Sequence, residues 1–411
     1  MATVETHLLK NGLRVVYTHH PNTAVTHCAL MIKAGTRDEK NGREGLAHFI
    51  EHALFKGTTK RKSFHILNRL EVIGGDLNAY TTKEETCIHA SVMNQYLERA
   101  VELIADIIFN STFPEKELEK EKDVILDEIR TYMDNPYEQI FDDFENLIFA
   151  GHELGHPILG TEISLKKFKR SDLIDYLKQC YHPSRMIFSV SGSSGMEEVI
   201  KLAEKYIFKE TKIKKESPRD KFQVYKPVTK IVPRAVNQVH HLSGLPGFSF
   251  HDKDRFVLVL LNNLLGGPGM NSRLNLNIRE KYGFTYTIES GYHAYSDTGV
   301  FHVYFATDAK NYEKTKMLVE RELSNLCDVV LSKKLFHQYK EQLLGQINMA
   351  QENRLSVMLS ITKGLLYFDR IVPLQEIFDR INAVTPDQIS QVATKLFKPT
   401  KRSTLVYEPI A

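Results

Sequence analysis

Residues 45–57 read Gly-Leu-Ala-His-Phe-Ile-Glu-His-Ala-Leu-Phe-Lys-Gly and predict a helix with two distinct faces. His48, Glu51 and His52 fall together on one side of that helix, because residues three and four apart are neighbours on its surface. Gly57 follows at a position where helices commonly end. The other side is apolar and would face a core; it consists of Leu46, Phe49, Ile50, Ala53 and Leu54.

Two histidines one helical turn apart can hold a zinc ion, and the glutamate between them would lie beside it. The pattern is too short to establish a site, since the chain contains a second one, His152-Glu-Leu-Gly-His156. In that segment glycines weaken a helix, and Pro157 pushes the residue before it out of the helical region. We therefore predict a loop over residues 151–161 and place the metal site in the first motif.

A catalytic zinc ion usually takes three protein ligands, so a further ligand should lie on another element. Residues 115–134 predict a long, highly charged helix, most of whose glutamates should be solvated. Glu121 and Glu128 differ, because they lie two turns apart beside the apolar stripe and have no Lys or Arg three or four residues away. A carboxylate turned toward a core needs a compensating partner. These two glutamates are the candidates.

Together these motifs resemble the inverted zincins, the insulinase and pitrilysin group of metallopeptidases that includes the mitochondrial processing peptidases. In size and layout the chain is most similar to the two-repeat bacterial peptidases of that group. The likeness extends to segments that resemble the family's substrate-binding edge strand, its glycine-rich segment and its Arg/Tyr pair. These segments are Gly75–Thr81, Gly266–Leu274 and Arg279–Tyr286.

The resemblance implies a zinc site with one catalytic base and a set of substrate contacts. By it, His48, His52 and Glu128 bind Zn²⁺, Glu51 is the general base, and Glu121 supports a ligand histidine. Removal of the base should abolish turnover and leave the metal bound. The substrate contacts implied are Arg279 and Tyr286, at the scissile carbonyl or the oxyanion, and Asn78 and Ala79, through their backbone.

The chain also predicts an α+β fold that is repeated twice. Residues 209–234 are rich in charge and contain prolines, and within them we place a linker at 216–234. It separates a catalytic lobe at 1–215 from a non-catalytic lobe at 235–411. In each half apolar strands precede a helix, and a further strand comes late, which predicts a mainly antiparallel sheet flanked by helices. By resemblance, the two homologous lobes close like a clamshell.

The second half lacks the ligands of the first. Alignment of the two long helices sets Glu121 over Tyr339 and Glu128 over Gln346. Alignment of helix 43–56 with helix 253–265 pairs the motif residues with Val259, Asn262 and Asn263. The second half is therefore expected to bind and enclose substrate without doing chemistry.

Composition limits the partners and the compartment. The formal net charge is +3, with 54 basic and 51 acidic residues intermixed, so a nucleic-acid surface is not indicated. No apolar stretch approaches the ~18 residues of a membrane span, and the four cysteines have no CxxC spacing. No signal segment is recognised, although a transit peptide already removed is an open alternative. We expect a cytoplasmic protein with reduced thiols.

The sequence thus predicts a zinc metalloendopeptidase that hydrolyses peptides or small unfolded proteins in an enclosed chamber. Two alternatives stay open: a presequence-type processing peptidase, and a non-catalytic or partner subunit of a two-chain peptidase. Longer family members carry four repeats and this chain carries two. The resemblance therefore implies a homodimer or a pairing with a related subunit.

Overall fold

The computed structural model describes residues 3–208 and 218–410. Its strands are β1 (Val4–Leu8), β2 (Arg14–His19), β3 (Val25–Ile32), β4 (Asp76–Thr81), β5 (Thr86–Met93), β6 (Met186–Gly192), β7 (Thr229–Arg234), β8 (Val239–Gly247), β9 (Thr285–Ala294), β10 (Gly299–Thr307) and β11 (Ser403–Pro409). Its longer helices are α1 (Leu46–Leu54), α2 (Ser63–Glu71), α3 (Leu97–Phe109), α4 (Glu115–Met133), α5 (Pro136–Ile148), α6 (Glu162–Lys167), α7 (Arg170–Cys180), α8 (Met196–Leu202), α9 (Arg255–Gly266), α10 (Tyr312–Asp328), α11 (Lys333–Ala350), α12 (Arg354–Phe368), α13 (Leu374–Ala383) and α14 (Pro386–Leu396). Both long helices and both short motif helices of the sequence analysis are present.

The strands form two sheets with the same topology. The first has the order β1-β2-β6-β3-β5-β4 and the second the order β7-β11-β8-β10-β9. Each has one parallel pair, β2 with β6 and β7 with β11, and its other pairs are antiparallel. Without β1, the two orders correspond strand for strand along the chain. The predicted duplicated α+β fold is therefore confirmed.

The first sheet buries one face against helices, which sets the position of α1. Alternate residues of β5, Ile88, Ala90 and Val92, join the core together with the apolar side of α1 and with α3. Strand side chains alternate between the two faces of a sheet, so His89 and Ser91 point the other way. Strand β4 is the last strand of this sheet, and its outer edge pairs with no strand in the described part of the chain. Helix α1 packs beside that edge strand.

The chain forms two compact units that are not identical with the two sequence halves. Unit 1 comprises residues 1–130, 156–220 and 350–372, and unit 2 comprises 131–155, 221–349 and 373–411. In unit 2, α5 packs on β8 and β11; in unit 1, α12 packs on β6 and β3. Each sheet is therefore covered in part by a helix from the opposite half of the sequence. Apolar periodicity identifies such helices but does not state which sheet they cover.

Part of the predicted linker is a strand. Residues 229–234 form β7, which pairs in parallel with β11 and corresponds to β2 in the first sheet. The linker prediction at 216–234 was therefore wrong over these residues, because charge and proline mark an edge strand as well as a linker. Residues 216 and 217 lie outside the described part of the chain.

The loop after α5 packs its backbone closely against the start of α1. Gly160 has a φ of +74°, and a Cβ there would lie 2.2 Å from the Glu44 carbonyl oxygen. We expect Gly160→Ala to lower the free energy of unfolding by about 2–5 kcal/mol, combining left-handed backbone strain with steric overlap. Gly151→Ala is the matched control, because its φ is +76° but nothing lies within 4 Å. It should cost only about 1 kcal/mol. Equal losses in urea unfolding would contradict the close approach.

No helix in residues 3–208 or 218–410 is both long enough and apolar enough to cross a membrane.

Candidate metal centre

Helix α1 begins at a buried acidic cap that the sequence analysis did not identify. Gly45, with a φ of +89°, precedes the helix. The carboxyl group of Glu39 accepts hydrogen bonds from the N–H groups of Gly45 at 3.0 Å and Ala47 at 2.7 Å. The first N–H groups of a helix have no acceptor within the helix and need one from elsewhere. Glu39 thus fixes the first turn of the helix that carries the motif.

His48, His52 and Glu128 come together as a potential metal-binding group. One ligand atom from each lies within 4.8 Å of the others. The Nε2 atoms of His48 and His52 are 3.9 Å and 3.6 Å from the Glu128 carboxylate oxygens, respectively. Two imidazole nitrogens and one carboxylate oxygen form a donor set that suits Zn²⁺ and leaves a fourth position open. The three residues fit the predicted ion. Among the described residues this is the one His/Cys/Asp/Glu group with such spacing.

The two histidines differ in their electrostatic surroundings. Burial, aided by the nearby His52, lowers the pKa of His48 to about 3, which keeps this imidazole neutral and available as a ligand. Burial also acts to lower the pKa of His52, but the carboxylates of Glu121, Glu128 and Glu51 outweigh it and raise that pKa. The carboxylate cluster thus attracts positive charge at His52.

Glu121 orients the imidazole ring of His52. Its Oε1 lies 2.8 Å from His52 Nδ1, which leaves Nε2 directed toward Glu128. Lys56, at the end of the motif segment, lies 2.6 Å from the other Glu121 oxygen. Burial alone would raise the pKa of Glu121, but His52 and Lys56 hold it below its usual value. Such partners fix the tautomer and ring orientation of a ligand histidine. Lys56 was missed because it approaches Glu121 only in the folded chain.

Glu51 lies next to this group on the same helix. Its Oε2 is buried and has no well-aligned hydrogen bond to any described residue. Burial raises the pKa of Glu51; the Thr81 hydroxyl and His52 oppose this, and Glu128 adds to it. A raised pKa makes such a carboxylate a stronger proton acceptor than an exposed glutamate, which suits it to general base chemistry. Thr81, on β4, was not singled out from the sequence.

The second His/Glu motif forms a loop, as predicted. Its central residues, Glu153–Gly155, make a single 3-10 turn. The Nδ1 atom of His152 accepts a hydrogen bond from the Leu154 N–H at 3.1 Å, which uses that ring locally. The backbone oxygen of His156 accepts a hydrogen bond from Lys83. Residues 152–155 of this segment belong to unit 2, where Leu154 packs in the core with α5, and His156 belongs to unit 1.

The predicted substrate contacts occupy two different places. Asn78 and Ala79 lie on β4, the edge strand of the first sheet, where Asn78 is exposed. Arg279 and Tyr286 lie in unit 2, on a π-helical turn at Asn275–Glu280 and on β9, respectively. The Arg279 guanidinium carbon is 5.2 Å from the Tyr286 ring centre, and Tyr286 is 81% exposed.

The second repeat has helices that correspond to α1 and α4, but these helices carry different side chains at the positions of the site. Val259, Asn262 and Asn263 lie on α9, and Tyr339 and Gln346 lie on α11. None of these residues offers an imidazole or a carboxylate. The absence of ligands from these positions agrees with the alignment of the two halves.

Comparison with known proteins identifies the same duplicated family. The model described as "Insulinase (Peptidase family M16)" matches residues 14–162, and the model described as "Peptidase M16 inactive domain" matches residues 167–343. The zinc protease YmxG of Bacillus subtilis is 32% identical over 397 residues, which cover 96% of each chain. The mitochondrial-processing peptidase subunit beta of Bos taurus is 30% identical over 398 residues, covering 94% of this chain and 80% of its own.

Solved structures share the whole fold. The peptidase M16 inactive domain from Pseudomonas fluorescens has a TM-score of 0.92 at 19% identity, covering 100% of this chain and 98% of its own. A protease from Helicobacter pylori has a TM-score of 0.90 at 23% identity, covering 99% and 100%. With the sequence matches and the His/His/Glu group, these findings agree with the predicted family. The chain belongs to the insulinase family of zinc metalloproteases, peptidase family M16.

Proposed function

We propose that this protein is a zinc metalloendopeptidase whose metal ligands are His48, His52 and Glu128 and whose general base is Glu51. The observation that carries the proposal is the convergence of these three donor groups within 4.8 Å, beside a buried carboxylate on the same helix. We also propose that the substrates are peptides or small unfolded proteins and that they are cleaved in an enclosed chamber.

Each of these side chains has a separate role in peptide hydrolysis. When bound, Zn²⁺ supplies a Lewis acid that polarises a carbonyl and lowers the pKa of a water molecule. Glu51 takes a proton from the attacking water and delivers it to the leaving amine. Glu121 holds the His52 ring so that Nε2 stays directed at the metal position. Lys56 forms an ion pair with Glu121 and balances its negative charge, so the Glu121 carboxylate remains in place as the partner of His52.

The edge strand β4 is the proposed docking line for substrate. An extended peptide can add to an unpaired sheet edge through backbone hydrogen bonds, and Asn78 and Ala79 lie in the middle of this strand. Helix α1 packs beside β4, so a peptide there would lie near Glu51. Arg279 and Tyr286 are proposed substrate contacts from unit 2, through a guanidinium and a phenol that can donate to an oxyanion.

A second candidate function follows from the relatives. Several are processing-peptidase beta subunits, among them the one from Bos taurus. A processing peptidase would cut near one defined arginine context, and a partner subunit would be inactive alone. A general endopeptidase would cut many sequences.

The purified, zinc-loaded chain with a mixed peptide library separates these cases. We expect cleavage at several sites by mass spectrometry, loss of cleavage with a chelator, and recovery when zinc is added back. Cleavage confined to a single arginine context would favour the processing peptidase. If no peptide is cut, the self-sufficient peptidase is excluded.

We also propose that two copies of the chain associate, because longer family members carry four repeats. Self-pairing is favoured over pairing with a related subunit, since the chain holds both the zinc ligands and the Arg279/Tyr286 pair. Size-exclusion chromatography with light scattering should give twice the mass of one chain. A single-chain mass, with activity only after a second subunit is added, would contradict self-pairing.

A further inference from the structure

The first sheet has a second outer edge at β1, on the side opposite to β4. Strand β1 pairs with β2 in a regular antiparallel register, and its other side pairs with no strand among the residues that the structure describes. The side chains from Glu5 to Leu8 are exposed. Such an edge can pair with another chain unless a lysine, a proline or a bulge blocks it. The edge strand β7 contains Lys230 and Pro233, whereas β1 contains neither residue type and no bulge.

The hydrogen bonds on either side of β1 fix which of its backbone groups face outward. The His19 N–H donates to the Thr3 carbonyl at 3.1 Å, and the Leu9 N–H donates to the Leu13 carbonyl at 2.9 Å. Backbone groups alternate between the two sides of a strand, so the odd-numbered residues of this segment face β2. The residues whose N–H and C=O groups face away from the sheet are Val4, Thr6 and Leu8.

These outward-facing groups allow β1 to pair with β1 of a second copy about a two-fold axis. With Thr6 at the axis, the two Thr6 residues face each other, and Val4 faces Leu8 of the second copy. Each of these pairs can exchange two backbone hydrogen bonds. Glu5 then lies opposite His7 of the second copy, in a non-hydrogen-bonded pair whose side chains approach closely. In this register β1 is complementary to itself in backbone, apolar contact and charge.

The neighbouring registers lose this complementarity. An axis at Glu5 sets the two Glu5 side chains opposite each other and leaves Leu8 without a partner within β1. An axis at His7 does the same with the two imidazoles and leaves Val4 without one. Parallel pairing in register also brings identical side chains together. Like charges directly opposite are destabilising, so the antiparallel register centred on Thr6 is favoured.

We propose that two copies of this chain associate through their β1 edges, by antiparallel pairing centred on Thr6. The inference rests on the association of two copies proposed above, to which it assigns a surface, and it does not depend on peptidase activity. Strand addition at an exposed sheet edge is a common mode of recognition. Because β4 is the opposite edge strand of the same sheet, pairing at β1 leaves the proposed docking line for substrate free.

Thr6→Pro tests the backbone part of the proposal. Proline removes an outward-facing N–H and places its ring at the edge, but it removes no hydrogen bond to β2, because the Thr6 backbone faces away from that strand. The dimer dissociation constant, measured by sedimentation velocity on the full chain, should rise at least roughly 10-fold. Thr6→Val is the matched control, because valine keeps the N–H and favours strands. T6V should retain the wild-type dissociation constant.

Two charge variants test the register. Glu5→Lys sets a lysine opposite His7 of the second copy, and His7→Glu sets a glutamate opposite Glu5. Each variant should raise the dissociation constant roughly 10-fold. The double variant E5K/H7E should restore association, because opposite charges face each other again. An equal mixture of the two single variants should associate for the same reason. This series decides the question by itself if T6P does not fold.

The outcomes separate the surface from the association itself. A wild-type dimer that neither T6P nor the single charge variants weaken would overturn the β1 surface and leave the association intact. A wild-type chain of single-chain mass at every concentration would contradict the association and this surface with it. If such a chain gains hydrogen-exchange protection at β1 only when a peptide library is added, the edge binds extended peptides instead, which also overturns the proposal. Peptide cleavage is measured separately and tests the proposed function alone.

Discussion

Glu51→Gln should abolish peptide hydrolysis while the protein keeps its zinc. Glutamine has nearly the shape of glutamate but cannot take a proton from water, and general base catalysis contributes roughly 10²–10⁴-fold to a rate. The metal ligands His48, His52 and Glu128 are untouched by this change. We therefore expect kcat to fall by at least about two to four orders of magnitude. Zinc content, measured by elemental analysis after dialysis, should equal that of the wild type.

The matched control for this experiment is Glu153→Gln. Glu153 is the glutamate of the second His/Glu motif and lies in a 3-10 turn of the loop. Its replacement should leave both kcat and zinc content unchanged. Turnover by Glu51→Gln within tenfold of the wild type would remove Glu51 from the role of base. Loss of zinc in Glu51→Gln would instead make it a ligand.

Glu128→Gln should strongly reduce zinc retention. The carboxylate is the only anionic donor of the His/His/Glu group, so its loss removes both a ligand and the charge that balances the cation. We expect the variant to lose most of its zinc during dialysis against a weak chelator that leaves the wild type loaded. Activity should fall in proportion to the zinc lost and recover in part at high zinc concentration.

Three further variants show whether the loss of zinc is specific. Glu119→Gln changes an exposed glutamate of the same helix α4, paired with Lys122 at 2.9 Å, and should not affect zinc. His152→Ala and His156→Ala change the second motif and should not affect it either. Unchanged zinc in Glu128→Gln would remove this residue from the ligand set. Loss of zinc in a histidine variant of the loop would return the second motif to consideration.

Local sequence pattern was sufficient for the elements that carry the site. The apolar side of α1 is buried as its periodicity predicts, and α4 spans Glu115–Met133 against a predicted 115–134. Proline and glycine correctly marked the second motif as a loop. These features depend on interactions between residues a few positions apart, and such interactions can be recognised from spacing alone.

Contacts between distant segments could not be predicted in the same way. The ion pair of Lys56 with Glu121 and the cap of Glu39 on α1 both depend on how separate elements pack. Each of these residues has an ordinary solvated interpretation in the sequence. Only the partner that it meets in the folded chain distinguishes it.

The organisation of the chain likewise depends in part on local sequence pattern and in part on tertiary packing. Charge and proline suggested a linker over 216–234, but β7 forms at 229–234, because β11 offers an edge for it to pair with. Likewise α5 and α12 each pack on the sheet of the opposite sequence half. An apolar helix face specifies that it must be buried, and the available partner decides where.

The sequence by itself determined the two-faced helix at residues 46–54, the charged helix that bears Glu121 and Glu128, and the loss of the ligands from the second repeat, because these are matters of residue type and spacing. The tertiary structure decided which carboxylates meet which histidines. Burial then decided that the pKa of His48 falls while that of Glu51 rises. The physical reason is that desolvation and pairing depend on distances between atoms that the chain brings together only when its sheets and helices pack.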